Sequence, residues 1–176
     1  MDKNIKIAIS GKSGCGNTTV SRLVAESLGL RFINFTFRNL AQEHNKSIED
    51  ILLLAKEDDS WDRAVDGRQV TLAREAGGCV LGSRLAIWLL KEADLKVYLK
   101  ATSETRAKRI MKREGGTLDA VSTFTEERDR QDHERFLRLY NIDTDNCAFA
   151  DLIIDTDALS PTKIAELIIH RARQRV

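Results

Sequence analysis

The segment that most constrains this chain is Gly11-Lys12-Ser13-Gly14-Cys15-Gly16-Asn17-Thr18-Thr19. It follows a short run with isoleucine at alternate positions, Lys3 to Ser10, which reads as a strand. It precedes Thr18 to Leu28, where Val20, Leu23, Val24 and Leu28 fall on one helical face and Gly29 ends the pattern. A glycine-rich turn between a strand and a helix lets backbone N–H groups wrap a phosphate, and the helix N-terminus adds positive potential. Gly11, Gly16 and Thr18 match the G-x-x-x-x-G-K-[ST] pattern, and Asn17 stands where the pattern has lysine. An amide donates hydrogen bonds but carries no charge. Lys12, in the same loop, is the cation positioned to compensate, and the Thr18 hydroxyl is the expected Mg²⁺ ligand. The competing reading is a glycine-rich turn of another α/β protein.

Further strands are expected over Phe32–Phe35, Cys79–Leu81, Leu95–Leu99 and Leu152–Ile154. Helices are expected over Asn39–Lys56, broken near Asn45-Lys46, and over Ser60–Glu75, Ser103–Arg113, Leu118–Tyr140 and Ser160–Arg173. Ser47 with Asp50 reads as an N-cap followed by an acidic first turn. Strands alternating with helices imply parallel βαβ units. The expected fold is a three-layer α/β/α sandwich around a parallel sheet of about five strands. At 176 residues with no low-complexity linker, one domain over residues 1–176 is the simplest organisation. Ligands bind outside the carboxyl ends of such strands, so the loops after Ser10, Phe35, Ser83 and Lys100 should carry the site.

Composition removes several function classes. Lys and Arg number 28 against 27 Asp and Glu, so the basic excess of a polymeric nucleic-acid binder is missing. No apolar run approaches the ~20 residues of a membrane helix. The N-terminus carries no signal-peptide pattern, so a cytoplasmic protein is expected. Cys15, Cys79 and Cys147 are odd in number and widely spaced, which supports neither a disulfide framework nor a zinc site. His44, His133 and His170 are scattered, and no His/Cys/carboxylate cluster is evident.

Arginines mark the rest of the candidate site. Arg38 follows the second strand and Arg84 the third, where a second substrate would lie. Arg106, Arg109 and Arg113 share one helix face before the hinge Gly115-Gly116. That face is either a solvated basic surface or a lid that brings guanidinium groups over a transferring phosphoryl. Arg128, Asp132 and Arg135 form a second stripe: an ion-pair ladder, or two cations for a phosphate and a carboxylate for a base amine. Asp62, Asp66 and Gln69 share a face that reaches a ribose or base, or solvent.

In this order the pieces resemble the cytidylate kinases, closest to the compact archaeal-type branch. The resemblance runs over nearly the whole chain, through ISGKSGCGNTTVSRLVAESLGL, WDRAVDGRQ, LGSRLAIWLLKEADLKVYLKA, SETRAKRIMKREGG, ERDRQDHERFLRLYNID and DLIIDTDALSPTKI. It implies a P-loop NTPase fold with a monophosphate-binding helical insert at about 35–76 and a helical lid at about 103–130. It also implies transfer of the γ-phosphoryl of ATP to CMP or dCMP with Mg²⁺, by a monomer. Gly11 through Thr19 would hold ATP. Arg38, Arg84, Arg128 and Arg135 would hold the monophosphate, Asp132 would recognise the cytosine amine, and Asp62 and Asp66 would assist. Lys12, Arg109, Arg113 and Arg128 would act on the transferring phosphoryl. The alternatives are another small-molecule kinase, for shikimate, gluconate or dephospho-CoA, and a non-catalytic nucleotide-binding protein, which Asn17 would suit.

Overall fold

The computed structural model describes residues 4–175. The expected strand start at Lys3 lies outside them. The elements run β1 (Lys6–Gly11), α1 (Asn17–Leu28), β2 (Arg31–Ile33), α2 (Phe37–Glu43), α3 (Ile48–Glu57), α4 (Ser60–Glu75), β3 (Cys79–Gly82), α5 (Ala86–Leu89), β4 (Leu95–Lys100), α6 (Ser103–Glu114), α7 (Leu118–Tyr140), β5 (Leu152–Asp155) and α8 (Pro161–Arg173). The five strands form one parallel sheet in the order β2-β3-β1-β4-β5. The chain leaves β1 toward β2 on one side and reaches β4 on the other. That divergence opens a crevice at the carboxyl end of β1.

The period of a strand divides its apolar residues between two faces. Ile7, Ile9, Val80, Val97 and Leu99 pack with Val20 and Val24 of α1 and Ile164 and Ile168 of α8. Ala8, Leu81 and Tyr98 face the other way, against Ala73 of α4 and Ile87 and Leu90 at α5. Strands buried on both faces account for the continuous apolar runs in the sequence. A fully buried isoleucine such as Ile9 contributes about 2 kcal/mol by removal from water.

Several boundaries shift for local reasons. β2 ends at Ile33, and Phe35 instead packs into a separate cluster with Leu40, Ile51 and Val65. Helix α2 begins at Phe37 rather than Asn39, because Asn39 Oδ1 accepts the Thr36 N–H at 2.9 Å and folds the first turn. The break before α3 falls where expected. Asn45 takes φ +51°, and Ser47 Oγ accepts the Asp50 N–H at 3.0 Å. The one-turn helix α5 is absent from the sequence reading; four residues are too short to show a period. Among the described residues no helix is long and apolar enough to cross a membrane.

Candidate active site

The loop between β1 and α1 is shaped by its glycines. Gly14 and Gly16 adopt φ +85° and +98°, in the left-handed region that glycine tolerates. A Cβ on Gly14 would lie 2.8 Å from Arg106 Cβ, so the loop rests directly on α6. Cys15 takes part through its backbone. Its side chain is buried in the core beneath α1, and burial pushes the thiol up to about 11. A thiol buried in this way is disfavoured as a nucleophile.

Asn17 does not present its amide as a stand-in for lysine. Its Nδ2 donates to the Gly11 carbonyl at 2.8 Å and closes the loop on itself. Lys12 also points elsewhere, to Asp145 Oδ1 at 2.8 Å in the segment after α7. Asp145 is held below the usual carboxylate range chiefly by that hydrogen bond. His133, Asp143 and Asp145 offer ligand atoms within 4.8 Å of one another, a cluster the scattered sequence positions did not suggest. Lys12 is the cation that balances it.

Two arginines of α6 donate to carbonyls of the loop. Arg106, buried, donates to the Ser13 carbonyl at 3.1 Å and to Asp129 Oδ2 at 2.6 Å. It is a buried strut, which corrects the alternative of a solvated basic face for this residue. Arg109 donates to the Thr156 carbonyl at 2.6 Å, to Thr156 Oγ1 at 2.9 Å and to the Gly14 carbonyl at 3.4 Å. Arg113 is exposed and pairs with Glu114. Arg109 and Arg113 both line the cleft that opens above the loop.

That cleft has a volume of about 1250 Å³. All nine loop residues from Gly11 to Thr19 line one end of it. The opposite wall comes from two helices whose spacing predicts the result. On α7, Phe124, Arg128, Asp132 and Arg135 face the cleft, and on α4, Asp62, Asp66 and Gln69 do. Arg84, just after β3, completes that wall.

The charges there are arranged in a chain. Asp132 accepts from Arg84 through Oδ2 and from Arg135 at 2.8 Å through Oδ1. Arg135 Nε lies 3.5 Å from Asp62 Oδ1, which ties α7 to α4. Burial lowers Arg84 below the ordinary guanidinium value, with Asp132 opposing and Arg128 and Arg135 adding to the effect. Burial likewise raises Asp62, and it pushes Asp66 up to about 6 although Tyr140 donates to Asp66 Oδ2 at 2.7 Å. Arg128, half-buried in the wall, makes no hydrogen bond or ion pair among the described residues. Among the residues that line the cleft, Asn17 Oδ1, Gln69 Oε1 and Ser83 Oγ are buried without a hydrogen-bond partner, and Arg135 Nε has only its ion pair with Asp62. Buried polar atoms in a native protein are normally satisfied, so this wall is complementary to a polar ligand.

Arg38 is the site residue that the structure does not bring to the cleft. It is exposed on α2 and absent from the cleft wall, because Phe35 and Phe37 turn inward on either side of Thr36. Ser83 is a wall residue that the sequence reading left without a role, since it has no periodic neighbour. Gln69 was read with Asp62 and Asp66 as one face toward a ribose or base, or solvent, and all three line the cleft.

A phosphate loop at the switch point of a five-stranded parallel sheet, with a separate wall of arginines and carboxylates across one cleft, defines a P-loop phosphotransferase. The solved shikimate kinase from Acinetobacter baumannii in complex with shikimate has the same fold, with a TM-score of 0.66, 18% identity and coverage of 98% of this chain and 95% of that one. The chain belongs to the cytidylate kinase-like family, whose pattern matches residues 6–158. It is 48% identical over 168 residues to cytidylate kinase 2 of Borreliella burgdorferi, covering 93% of each chain. It is 38% identical over 164 residues to the cytidylate kinase of Pyrococcus horikoshii, covering 92% of this chain and 85% of that one.

Proposed function

We propose that this protein transfers the γ-phosphoryl group of ATP to CMP or dCMP, giving ADP and the corresponding diphosphate. The observation that carries the proposal is the pairing, across one cleft, of the glycine loop with the Arg84, Arg128, Asp132 and Arg135 wall. Such a transfer is mainly positioning and charge stabilisation, and this cleft supplies both.

In this reading the loop backbone from Gly11 to Thr19 cradles the ATP phosphates. Thr18 is exposed and lines the cleft, and its hydroxyl accepts from Asn34 Nδ2 at 3.4 Å. A hard oxygen donor at that position fits Mg²⁺, which would neutralise phosphate charge. Arg84, Arg128 and Arg135 bind the monophosphate, Arg128 being the guanidinium already free to do so. Asp132 keeps lone pairs after holding two arginines, so it still accepts from a base amine. Asp62 and Asp66 orient that wall and border the nucleoside. Lys12, Arg109 and Arg113 act over the transferring group, Lys12 after leaving Asp145.

The helices α2 to α4 then form the monophosphate-binding region of a single domain, and α6 with the first half of α7 forms the lid. Substrates of this kind are soluble nucleotides, which agrees with a cytoplasmic monomer and with no polymeric nucleic acid.

The test is ADP release from ATP and Mg²⁺ with CMP, dCMP, UMP, AMP, shikimate, gluconate and dephospho-CoA in parallel. Turnover confined to CMP and dCMP is expected. Turnover only with a non-nucleotide acceptor would overturn the proposal. So would ATP binding without turnover, which would make the chain a nucleotide-binding protein.

A further inference from the structure

Gln69 is 5% exposed and lies on the α4 face toward the cleft. Its Nε2 donates to the Phe35 carbonyl at 2.8 Å. That bond fixes which end of the amide is which, since a flipped amide would set two carbonyl oxygens against each other. Oε1 is thereby left as a buried acceptor with no partner. A buried acceptor left unsatisfied costs about 1–3 kcal/mol, so its persistence on a cleft wall calls for a donor from outside the chain.

We propose that Gln69 is a specificity-determining residue whose Oε1 accepts a hydrogen bond from the exocyclic amine of the acceptor nucleobase. The proposal rests on the nucleoside monophosphate reading and extends it. Two features select a base over a sugar hydroxyl or a phosphate. Phe35, whose carbonyl holds Gln69, and Val65 belong to one apolar cluster and also line the cleft, so apolar surface lies beside the acceptor. The α4 residues that line the cleft, Asp62, Val65, Asp66 and Gln69, include no cation. An amino group has two hydrogens and needs two acceptors. Asp132 answers for one and Gln69 for the other. A uracil in the same place turns a carbonyl toward Oε1, so the fixed amide orientation rejects it.

The experiment compares kcat/KM for CMP and UMP in the wild type, Gln69→Met and Gln69→Glu. The Met variant conserves volume and removes the acceptor. It should lower the CMP-to-UMP ratio about 30-fold or more with the KM for ATP unchanged. In the Glu variant a protonated carboxyl donates to the Phe35 carbonyl in place of Nε2 and leaves the other oxygen as acceptor, so part of the CMP preference should return as pH falls. A folded Gln69→Met protein with an unchanged ratio would overturn the proposal. Equal losses for CMP and UMP would do the same, and would mark a ribose or structural contact. Failure of the underlying reading looks different: the wild type itself would then turn over neither nucleotide.

Discussion

Lys12 Nζ sits 2.8 Å from Asp145 Oδ1, so the one lysine of the phosphate loop is held on the segment after α7 and not over the cradle. The pair is open to solvent, at 37% and 65% exposure. Such pairs are worth about 0–1 kcal/mol, so the ammonium is cheaply released to a bound phosphate. Lys12→Ala should lower kcat by about 100-fold, the scale of one lost transition-state donor. Asp145→Asn should leave kcat within about twofold, because only a weak restraint is removed. Steady-state kinetics on both variants checks this. A Lys12→Ala enzyme with full turnover would mean that Asn17 and the arginines suffice.

Arg128 is the partnerless guanidinium of the cleft wall. Removing it takes away an anion-binding group without stranding any internal charge. Arg128→Ala should therefore reduce kcat/KM for the monophosphate about 100-fold or more, with the melting temperature within ~2 °C of the wild type. Parallel kinetics and thermal melts separate the two effects. A large loss of stability would show that Arg128 is structural.

Arg106 behaves in the opposite way. It is buried and holds both the Ser13 carbonyl and Asp129, itself 14% exposed. Arg106→Met leaves Asp129 as an unpaired charge under the loop. The expected cost is about 3–5 kcal/mol in urea unfolding, together with weaker ATP binding because the loop loses its support. A cost below ~1 kcal/mol would show that Asp129 finds another partner.

Asp66 gives the protein a pH dependence of known sign. Its carboxyl is raised from the ordinary 3.8 to about 6, so the folded chain holds that proton more tightly than the unfolded one. Stability from this group is fully present below pH ~4 and is lost as pH rises through 6. Asp66→Asn keeps a neutral acceptor for Tyr140 and removes that loss. It should raise the melting temperature by about 4 °C at pH 8 and change it little at pH 4. An equal shift at both pH values would exclude burial of the charge as the cause.

Much of this molecule is legible in local pattern. The isoleucine alternation before Gly11, the apolar stripe of α1 and the Gly29 stop specify a strand, loop and helix without reference to any other segment. The same holds for the i, i+4, i+7 stripes of α4 and α7, because helical periodicity alone decides which side chains share a face. Arg128, Asp132 and Arg135 do face one cleft together, and so do Asp62 and Asp66. The family signature adds to this, since it depends on residue order and not on contacts.

What periodicity leaves open is the partner each face meets and the direction in which a charged side chain turns. Lys12 could not be placed on Asp145, 133 residues away, from either neighbourhood. Arg106, Arg109 and Arg113 share a face in the sequence, yet one is a buried strut, one is bound to Thr156 and one is exposed. Arg38 reads as a phosphate ligand by its position after a strand, and the inward turn of Phe35 and Phe37 carries it outside. The sequence by itself determined the sheet, the phosphate loop and the identity of the two functional helix faces, because those follow from short-range geometry repeated along the chain. Only the tertiary structure decided which cations are free and which acceptor is left unsatisfied. Those outcomes depend on burial and on charges brought together from distant segments, where desolvation makes pairing obligatory inside and optional at the surface.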